Sequence, residues 1–171
     1  MENPTYISAY RCFAKLGYAM CTISMDEAGM RPAELEKSGA DLAYIMPSHQ
    51  FPMGMVMPMK RRMQLLAWAS RESGRYLIED DYDSEFRYKG RPIPALQGND
   101  TEGKVIYLGT FSRAIAPSIR ISYMVLPKTL LPAYEENGRC FSATVSKTDQ
   151  KILEEFMRSG AFERHLNRMR A

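Results

Sequence analysis

A run of hydroxyl and guanidinium side chains in the second half of this 171-residue sequence has the clearest capacity for chemistry. Thr110 and Ser112 offer hydroxyls, and Arg113 and Arg120 offer planar forks of N–H donors that match two phosphate oxygens at once. Gly109 would let the backbone approach such a ligand closely. A surface loop with two unrelated arginines explains the same residues, so this segment alone leaves both interpretations open.

Acidic side chains cluster at positions 78–86, IEDDYDSEF, directly after apolar residues. Like charges repel one another, so some of these side chains must face solvent or pair with nearby basic residues. Carboxylates at a strand end are also ligands of Mg²⁺, which would be held by Asp80, Asp81 and Asp83. A solvated acidic loop is the alternative, and the segment alone does not decide between the two.

The segment 47–54, PSHQFPMG, holds one of the two histidines of the chain. Its two prolines and its glycine indicate a rigid turn after a strand. His49 would act there as a general acid or base, or it would be a loop histidine that is satisfied by a local hydrogen bond.

The hydrophobic pattern predicts the elements that must position these segments. Strands are predicted at 18–23, 41–47, 75–80, 104–111 and 119–126, and helices at 5–16, 32–37, 58–72 and 146–169, the last interrupted near Gly160. Alternating strands and helices indicate a parallel sheet, but the last two strands are too close in sequence for a crossover helix and should be antiparallel. All three segments whose side chains could carry chemistry follow a predicted strand, which is where ligands bind in open α/β sheets.

Composition excludes several classes of protein. Hydrophobic residues make up 45% and charged residues 25% of the chain, as in globular proteins, and the net charge is +3. No apolar run reaches the ~18 residues of a membrane-spanning helix, so no membrane partner is expected. Three widely spaced cysteines (Cys12, Cys21 and Cys140) form no CxxC pair, which predicts no zinc site, no disulfide framework and a cytoplasmic location.

Four stretches of the chain, taken in order, resemble one family. They are ENPTY (2–6), YIMPSHQFPMG (44–54), YLIEDDYDSEFRYKGRPIPALQ (76–97) and VIYLGTFSRAIAPSIRISYMVLP (105–127). Over essentially its whole length the chain resembles the aminotransferase-like domain of GntR-family transcriptional regulators of the MocR/GabR type. The resemblance implies an α/β fold with a mostly parallel sheet flanked by helices. This is the large domain of the fold-type I transferases that depend on pyridoxal 5′-phosphate (PLP).

The resemblance also implies roles for the residues of a PLP site. Asp80 would pair with the pyridine nitrogen and keep it protonated, so that the ring can accept electrons, and Tyr82 would hydrogen-bond the phenolic oxygen of the ring. Thr110, Ser112 and Arg120 would hold the phosphate. The residues expected to flank the cofactor are Tyr6, His49 and Gln50. No metal ligand is implied.

Position 113 departs from the family, whose motif GTFSK carries the Schiff-base lysine. Arg113 stands there instead, and a guanidinium stays protonated up to a pKa above ~12, so it is not a usable nucleophile at neutral pH. We therefore expect PLP to bind noncovalently, without transaminase turnover. Two alternatives are an active aminotransferase that uses another lysine, such as Lys89 or Lys104, and a structural remnant that binds no ligand.

The length of the chain determines the expected domain organisation. Residues 1–171 are expected to form a partial aminotransferase-like domain, without the winged-helix DNA-binding domain and the C-terminal small domain of the family. DNA binding by this chain itself is therefore not expected. A homodimer or higher oligomer is expected, because a partial domain exposes sheet edges and apolar faces. The resemblance further implies an amino acid or amine effector, since relatives sense a cofactor–amino acid adduct.

Overall fold

The strands form two sheets in the computed structural model, which describes residues 1–83, 85, 94–138 and 145–170. The strands are β1 (Glu2–Asn3), β2 (Ile23–Asp26), β3 (Gly29–Met30), β4 (Leu42–Ile45), β5 (Tyr76–Asp81), β6 (Val105–Thr110) and β7 (Ser122–Val125). The larger sheet has the order β4–β5–β6–β7, with two parallel pairs followed by the antiparallel pair of β6 and β7. This arrangement confirms the predicted parallel sheet and its antiparallel end. The smaller sheet consists of β1, β2 and β3.

Helices pack on both faces of the larger sheet. The α-helices within the described residues are α1 (Ile7–Lys15), α2 (Pro32–Lys37), α3 (Met59–Ser70), α4 (Phe111–Ala114), α5 (Leu131–Gly138), α6 (Lys147–Arg158) and α7 (Ala161–Arg170). The predicted break near Gly160 is confirmed, because that residue separates α6 from α7 with a φ of 69°, which glycine adopts without a Cβ penalty. None of the helices in the described ranges is long and apolar enough to cross a membrane.

The strand period places successive side chains of β4 and β5 on opposite faces of the sheet. One face packs against α3 through a core that includes Ile45, Leu77 and Trp68. The other face packs against α1 through a smaller cluster that includes Tyr44 and Ile78. Neighbouring residues of one strand therefore meet different surroundings, and this decides which acidic side chains can face a ligand.

A buried arginine of α3 joins the segments that follow the strands. The Arg62 side chain is 0% exposed, and its three nitrogens donate to the carbonyl oxygens of Met57 (3.0 Å), Pro94 (2.9 Å) and Pro47 (2.8 Å). Its Nη1 also lies 3.9 Å from Oε1 of Glu79, which is equally buried. A guanidinium suits this role because its N–H donors point in fixed directions. The loop after β4 is thereby fixed to α3.

The strand predicted at 18–23 is wrong in its position. Among the described residues no strand precedes Ile23 in this segment, because β2 begins there. The physical reason is pairing, since β1 offers only Glu2 and Asn3, which pair with the first two residues of β2. The other four predicted strands correspond to β4, β5, β6 and β7 to within a few residues. Cys140 lies outside the described residues.

Candidate cofactor site

A cleft of about 460 Å³ opens where the parallel strands of the larger sheet end. Ten residues line it: Tyr6, Met46, Phe51, Asp80, Tyr82, Thr110, Ser112, Arg113, Arg120 and Ser122. Asp80 lies near the C-terminal end of β5, and Thr110 ends β6 opposite Ser122 of β7. The structure thus brings together seven of the nine site residues named from the sequence. His49 and Gln50 are not part of the lining.

The Asp80 carboxylate has one oxygen anchored and one open. The Tyr44 hydroxyl donates a hydrogen bond to Asp80 Oδ2, and no other hydrogen bond reaches this carboxylate from the described residues. Burial raises the pKa of Asp80, the hydrogen bond from Tyr44 lowers it, and the charge of Asp81 raises it. An open carboxylate oxygen in a cleft can pair with a protonated ring nitrogen.

Arg113 belongs to a cluster at the exposed side of the cleft, where 58% of its side chain is exposed. Its Nη1 lies 3.1 Å from Oδ2 of Asp83, and its guanidinium carbon lies 5.6 Å from the centroid of the Tyr82 ring. The same Asp83 oxygen is 2.6 Å from Nδ1 of His49, whose ring stacks on Tyr82. Burial and the charge of Asp83 raise the pKa of Tyr82 to about 12. The phenol therefore keeps its proton at neutral pH and can donate a hydrogen bond.

The remaining polar residues of the cleft offer hydroxyls and a second guanidinium. Thr110 Oγ1 accepts a hydrogen bond from the backbone N–H of Ser112 and donates to the carbonyl of Ile121, each at 3.2 Å. The Ser112 hydroxyl and the Arg120 guanidinium have no hydrogen-bond partner within the described residues. Arg120 has a φ of 50°, a left-handed conformation that costs a residue with a Cβ free energy and is often kept where function needs it.

Gln50 and Gly109, two residues of the motifs, make contacts that hold the fold together. Gln50 is 2% exposed, and its amide donates to the carbonyl of Pro4 (2.8 Å) and accepts from the backbone N–H of Met53 (3.0 Å), so it ties the turn to the N-terminal segment. Gly109 has a packing role in addition to the one expected from the sequence. A Cβ at this position would collide with the ring of Tyr123 on β7, so the packing of β7 on β6 also favours glycine.

Lys104, one of the alternative nucleophiles, is engaged far from the cleft. It precedes β6, and its Nζ donates to the carbonyl oxygens of Glu72 (2.8 Å) and Ser73 (3.0 Å). At ~3.3 Å per residue, about 20 Å of strand separates it from Thr110. This position argues against Lys104 as an amine that could reach a ligand in the cleft. Lys89 lies outside the described residues.

The aspartates of the acidic segment do not converge on one point. Asp80 faces the cleft, Asp81 accepts a hydrogen bond from the Tyr107 hydroxyl (2.8 Å), and Asp83 pairs with the cluster around Arg113. In the ranges that the structure describes, no three His, Cys, Asp or Glu side chains are grouped so that they could hold a metal ion. The geometry therefore gives the Mg²⁺ alternative no support.

Tyr44 was not predicted from the sequence as a site residue, and neither were three residues that line the cleft, which are Met46, Phe51 and Ser122. Tyr44 could have been found from its polar tip inside an apolar strand, since a buried tyrosine hydroxyl needs a partner. Ser122 could have been found from its place opposite Thr110 in the antiparallel pair. Met46 and Phe51 gave no signal that separates them from core residues.

The cleft fits PLP in size and in chemistry. Small-molecule sites span roughly 300–1,000 Å³, a range that includes the about 460 Å³ of this cleft. The open oxygen of Asp80 matches a pyridine nitrogen, and the protonated phenol of Tyr82 matches a ring oxygen. The hydroxyl of Ser112 and the guanidinium of Arg120 match a phosphate. Covalent attachment would need an amine, which Arg113 does not offer.

The chain is similar in sequence to known transcriptional regulators. No protein-family model matches the chain. It is 44% identical over 170 residues to the uncharacterized HTH-type transcriptional regulator YhdI of Bacillus subtilis, covering 99% of the chain and 36% of that protein. It is 36% identical over 170 residues to the probable rhizopine catabolism regulatory protein MocR of Rhizobium meliloti, covering 99% of the chain and 34% of that protein. The chain thus spans about a third of the length of these curated relatives.

Solved structures of aminotransferases share the fold of this chain. The crystal structure of Pyrococcus horikoshii kynurenine aminotransferase matches with a TM-score of 0.90 and 31% identity, covering 99% of the chain and 44% of that structure. The fold is therefore that of the PLP-dependent aminotransferases of fold type I. Within this class, the chain is homologous over its whole length to the aminotransferase-like region of MocR-type HTH transcriptional regulators, which confirms the resemblance seen in the sequence.

Proposed function

We propose that this chain is part of the PLP-binding, aminotransferase-like effector domain of a MocR-type transcriptional regulator, and that it binds PLP without transaminase turnover. One observation carries the proposal. The cleft offers partners for the ring and the phosphate of PLP, but at position 113 it presents a guanidinium instead of an amine. Relatives named as HTH-type transcriptional regulators match 99% of the chain, which supports a regulatory role.

Each polar residue of the cleft has a task in this proposal. Asp80 would accept the proton on the ring nitrogen with its open oxygen, and Tyr82 would donate to the ring oxygen. Ser112 and Arg120 would bind phosphate oxygens. Bound PLP would supply an electron-accepting ring. Arg113 is paired with Asp83, and a guanidinium is neither a nucleophile nor a base near pH 7, so this residue would not attack the cofactor or transfer a proton.

The proposal extends to the partners of the chain. DNA contact would come from a winged-helix domain and not from these residues, and the effector would be an amino acid or an amine. A homodimer would cover surfaces that the chain leaves open. All four residues of β7 are exposed at an edge of the larger sheet, and α1 has no buried residue. Both features are typical of elements that pack against a further segment or a second copy.

The test compares PLP binding by the purified chain and by its Arg113→Lys variant. We expect both to bind PLP reversibly in an absorbance titration. After borohydride reduction, mass spectrometry should find a phosphopyridoxyl adduct on residue 113 of the variant and none at a defined site of the parent. The reason is that the variant regains an amine that can lose its proton, whereas a guanidinium cannot.

A matched control is Arg71→Lys, which adds a lysine at an exposed arginine far from the lining of the cleft. It should behave as the parent does. A specific adduct in the parent would refute the proposed lack of turnover and favour an enzyme that uses another lysine. Failure of both parent and Arg113→Lys to bind PLP would leave a structural remnant as the better description.

A further inference from the structure

A buried tyrosine outside the predicted site contacts the carboxylate of the cleft. Tyr44 lies in β4, is 3% exposed, and donates its hydroxyl hydrogen bond to Oδ2 of Asp80 on β5. The parallel register pairs Tyr44 with Ile78, which lies on the same face of β5 as Asp80. The ring of Phe13 on α1 packs edge-on against Tyr44, with 6.0 Å between centroids. The hydroxyl is thus held in place by the sheet and by a helix.

We propose that Tyr44 is a positioning residue of the cofactor site, whose hydroxyl fixes one oxygen of Asp80 so that the other is presented to the ligand. The inference rests on the proposed PLP site. Tyr44 does not line the cleft, so it would act only through Asp80. Nothing in the motifs named from the sequence assigns it this role.

The hydroxyl of Tyr44 affects both the orientation and the charge of the Asp80 carboxylate. The terminal torsion of an aspartate is broad and roughly two-fold, so an unanchored carboxylate would turn between several directions. A hydrogen bond to the charged form also favours that form, and the bond from Tyr44 opposes the effect of burial on the pKa of Asp80. Burial and the Asp80 charge both raise the pKa of Tyr44, so its hydroxyl remains a donor at neutral pH.

Other charged groups near Asp80 do not orient it. Asp81 follows it on β5 and raises the pKa of Asp80. Arg113 and Arg120 line the same cleft, but within the described residues neither donates a hydrogen bond to Asp80. Tyr44 is therefore the group on which the direction of this carboxylate depends.

The first experiment uses Tyr44→Phe, which removes the hydroxyl and keeps the ring. Affinities of the chain for PLP and for its 1-deaza analogue, in which C–H replaces the ring nitrogen, are measured by fluorescence titration. We expect the variant to weaken PLP binding about tenfold, because an Asp80 carboxylate that is no longer held in one direction bonds the ring nitrogen less well, and to leave binding of the analogue nearly unchanged. An equal loss for both ligands, or no loss for either, would show that Tyr44 has only a packing role.

The matched control is Tyr10→Phe. Tyr10 packs in the same cluster as Tyr44, but its hydroxyl has no hydrogen bond within the described residues. This variant should bind both ligands as the parent does. Urea denaturation of all three proteins shows whether the variants are folded before their affinities are compared.

A second measurement needs no cofactor. Carbon-13 NMR of labelled aspartate carboxyls follows the titration of Asp80, which is assigned from the signal lost in Asp80→Asn. We expect Tyr44→Phe to raise the pKa of Asp80 further, because the hydrogen bond that favours the carboxylate is gone, and Tyr10→Phe to leave it unchanged. An unchanged pKa in Tyr44→Phe would refute the inference. A chain that binds no PLP but shows the upward shift would refute the proposed function and keep the coupling of Tyr44 to Asp80.

Discussion

Glu79 and Asp80 are neighbours on β5, yet the chain uses their carboxylates in different ways. Glu79 is 0% exposed, and its two oxygens accept hydrogen bonds from the backbone N–H groups of Leu96 and Gln97, each at 2.8 Å. Asp80 has one oxygen bonded to Tyr44 and the other without a hydrogen bond from the described residues. Burial raises the pKa of both carboxyls.

The comparison shows that burial and a raised pKa do not by themselves identify a site for a ligand. What separates the two acids is whether the chain satisfies both oxygens. A carboxylate with both oxygens bonded internally holds segments together, as Glu79 does between β5 and residues 96–97. A carboxylate with an open oxygen in a cleft is available to a ligand, as Asp80 is.

The largest expected effect is a loss of stability when Glu79 is replaced. In Glu79→Gln the new amide NH₂ faces a backbone N–H donor, so one buried donor loses its acceptor and the charge near Arg62 is removed. We expect the free energy of unfolding to fall by about 3 kcal/mol, measured by urea denaturation. A loss below about 1 kcal/mol would mean that full satisfaction of this carboxylate contributes little to stability.

The matched substitution at the next residue, Asp80→Asn, should weaken PLP binding and leave stability nearly unchanged. Asp80→Asn keeps the shape and the acceptor for Tyr44, so stability should change by less than about 1 kcal/mol. Affinity for PLP should fall by roughly 30-fold, because a charge-assisted hydrogen bond to the ring nitrogen is worth about 2 kcal/mol. The comparison fails if Asp80→Asn destabilises the fold as much as Glu79→Gln does.

A third buried carboxyl gives the smallest effect. Glu2 accepts a hydrogen bond from the backbone N–H of Met46, its Oε1 has no partner in the described part of the chain, and burial raises its pKa to about 7. Between its unfolded pKa near 4.5 and this value, the folded state binds more protons, so stability falls as pH rises through that window. Glu2→Gln should remove this dependence, on the order of 1 kcal/mol between pH 6 and 8, measured by denaturation at both values. An unchanged pH profile would contradict it.

The sequence predicted the elements that local pattern controls. The amphipathic run at 58–72 gave α3, and the apolar runs gave β4, β5 and β6 with the motif residues at their carboxyl ends. This placement brought Asp80, Thr110 and their neighbours to one cleft, because parallel strands end at one edge of the sheet. The strand at 18–23 was wrong, since a strand needs a partner that the local sequence does not reveal.

Contacts set by register could not be read from the sequence. Tyr44 reaches Asp80 because β4 pairs with β5 in one particular alignment, and a shift by one residue would turn it to the other face. Asp83 and Arg113 are 30 positions apart, and only the folded sheet brings them within 3.1 Å. Gln50 carried no sign that its amide serves Pro4 and not a ligand.

The triple hydrogen bond of Arg62 has a consequence for how the loop after β4 can open. One side chain holds the carbonyl oxygens of Pro47, Met57 and Pro94, and the backbone N–H of Met57 also donates to Pro47. Moving any one of these three segments away would break a buried hydrogen bond to Arg62, which costs more than breaking an exposed one. The loop that carries Phe51 to the cleft is therefore held by buried contacts, and we expect it to open locally less often than loops that lack such contacts.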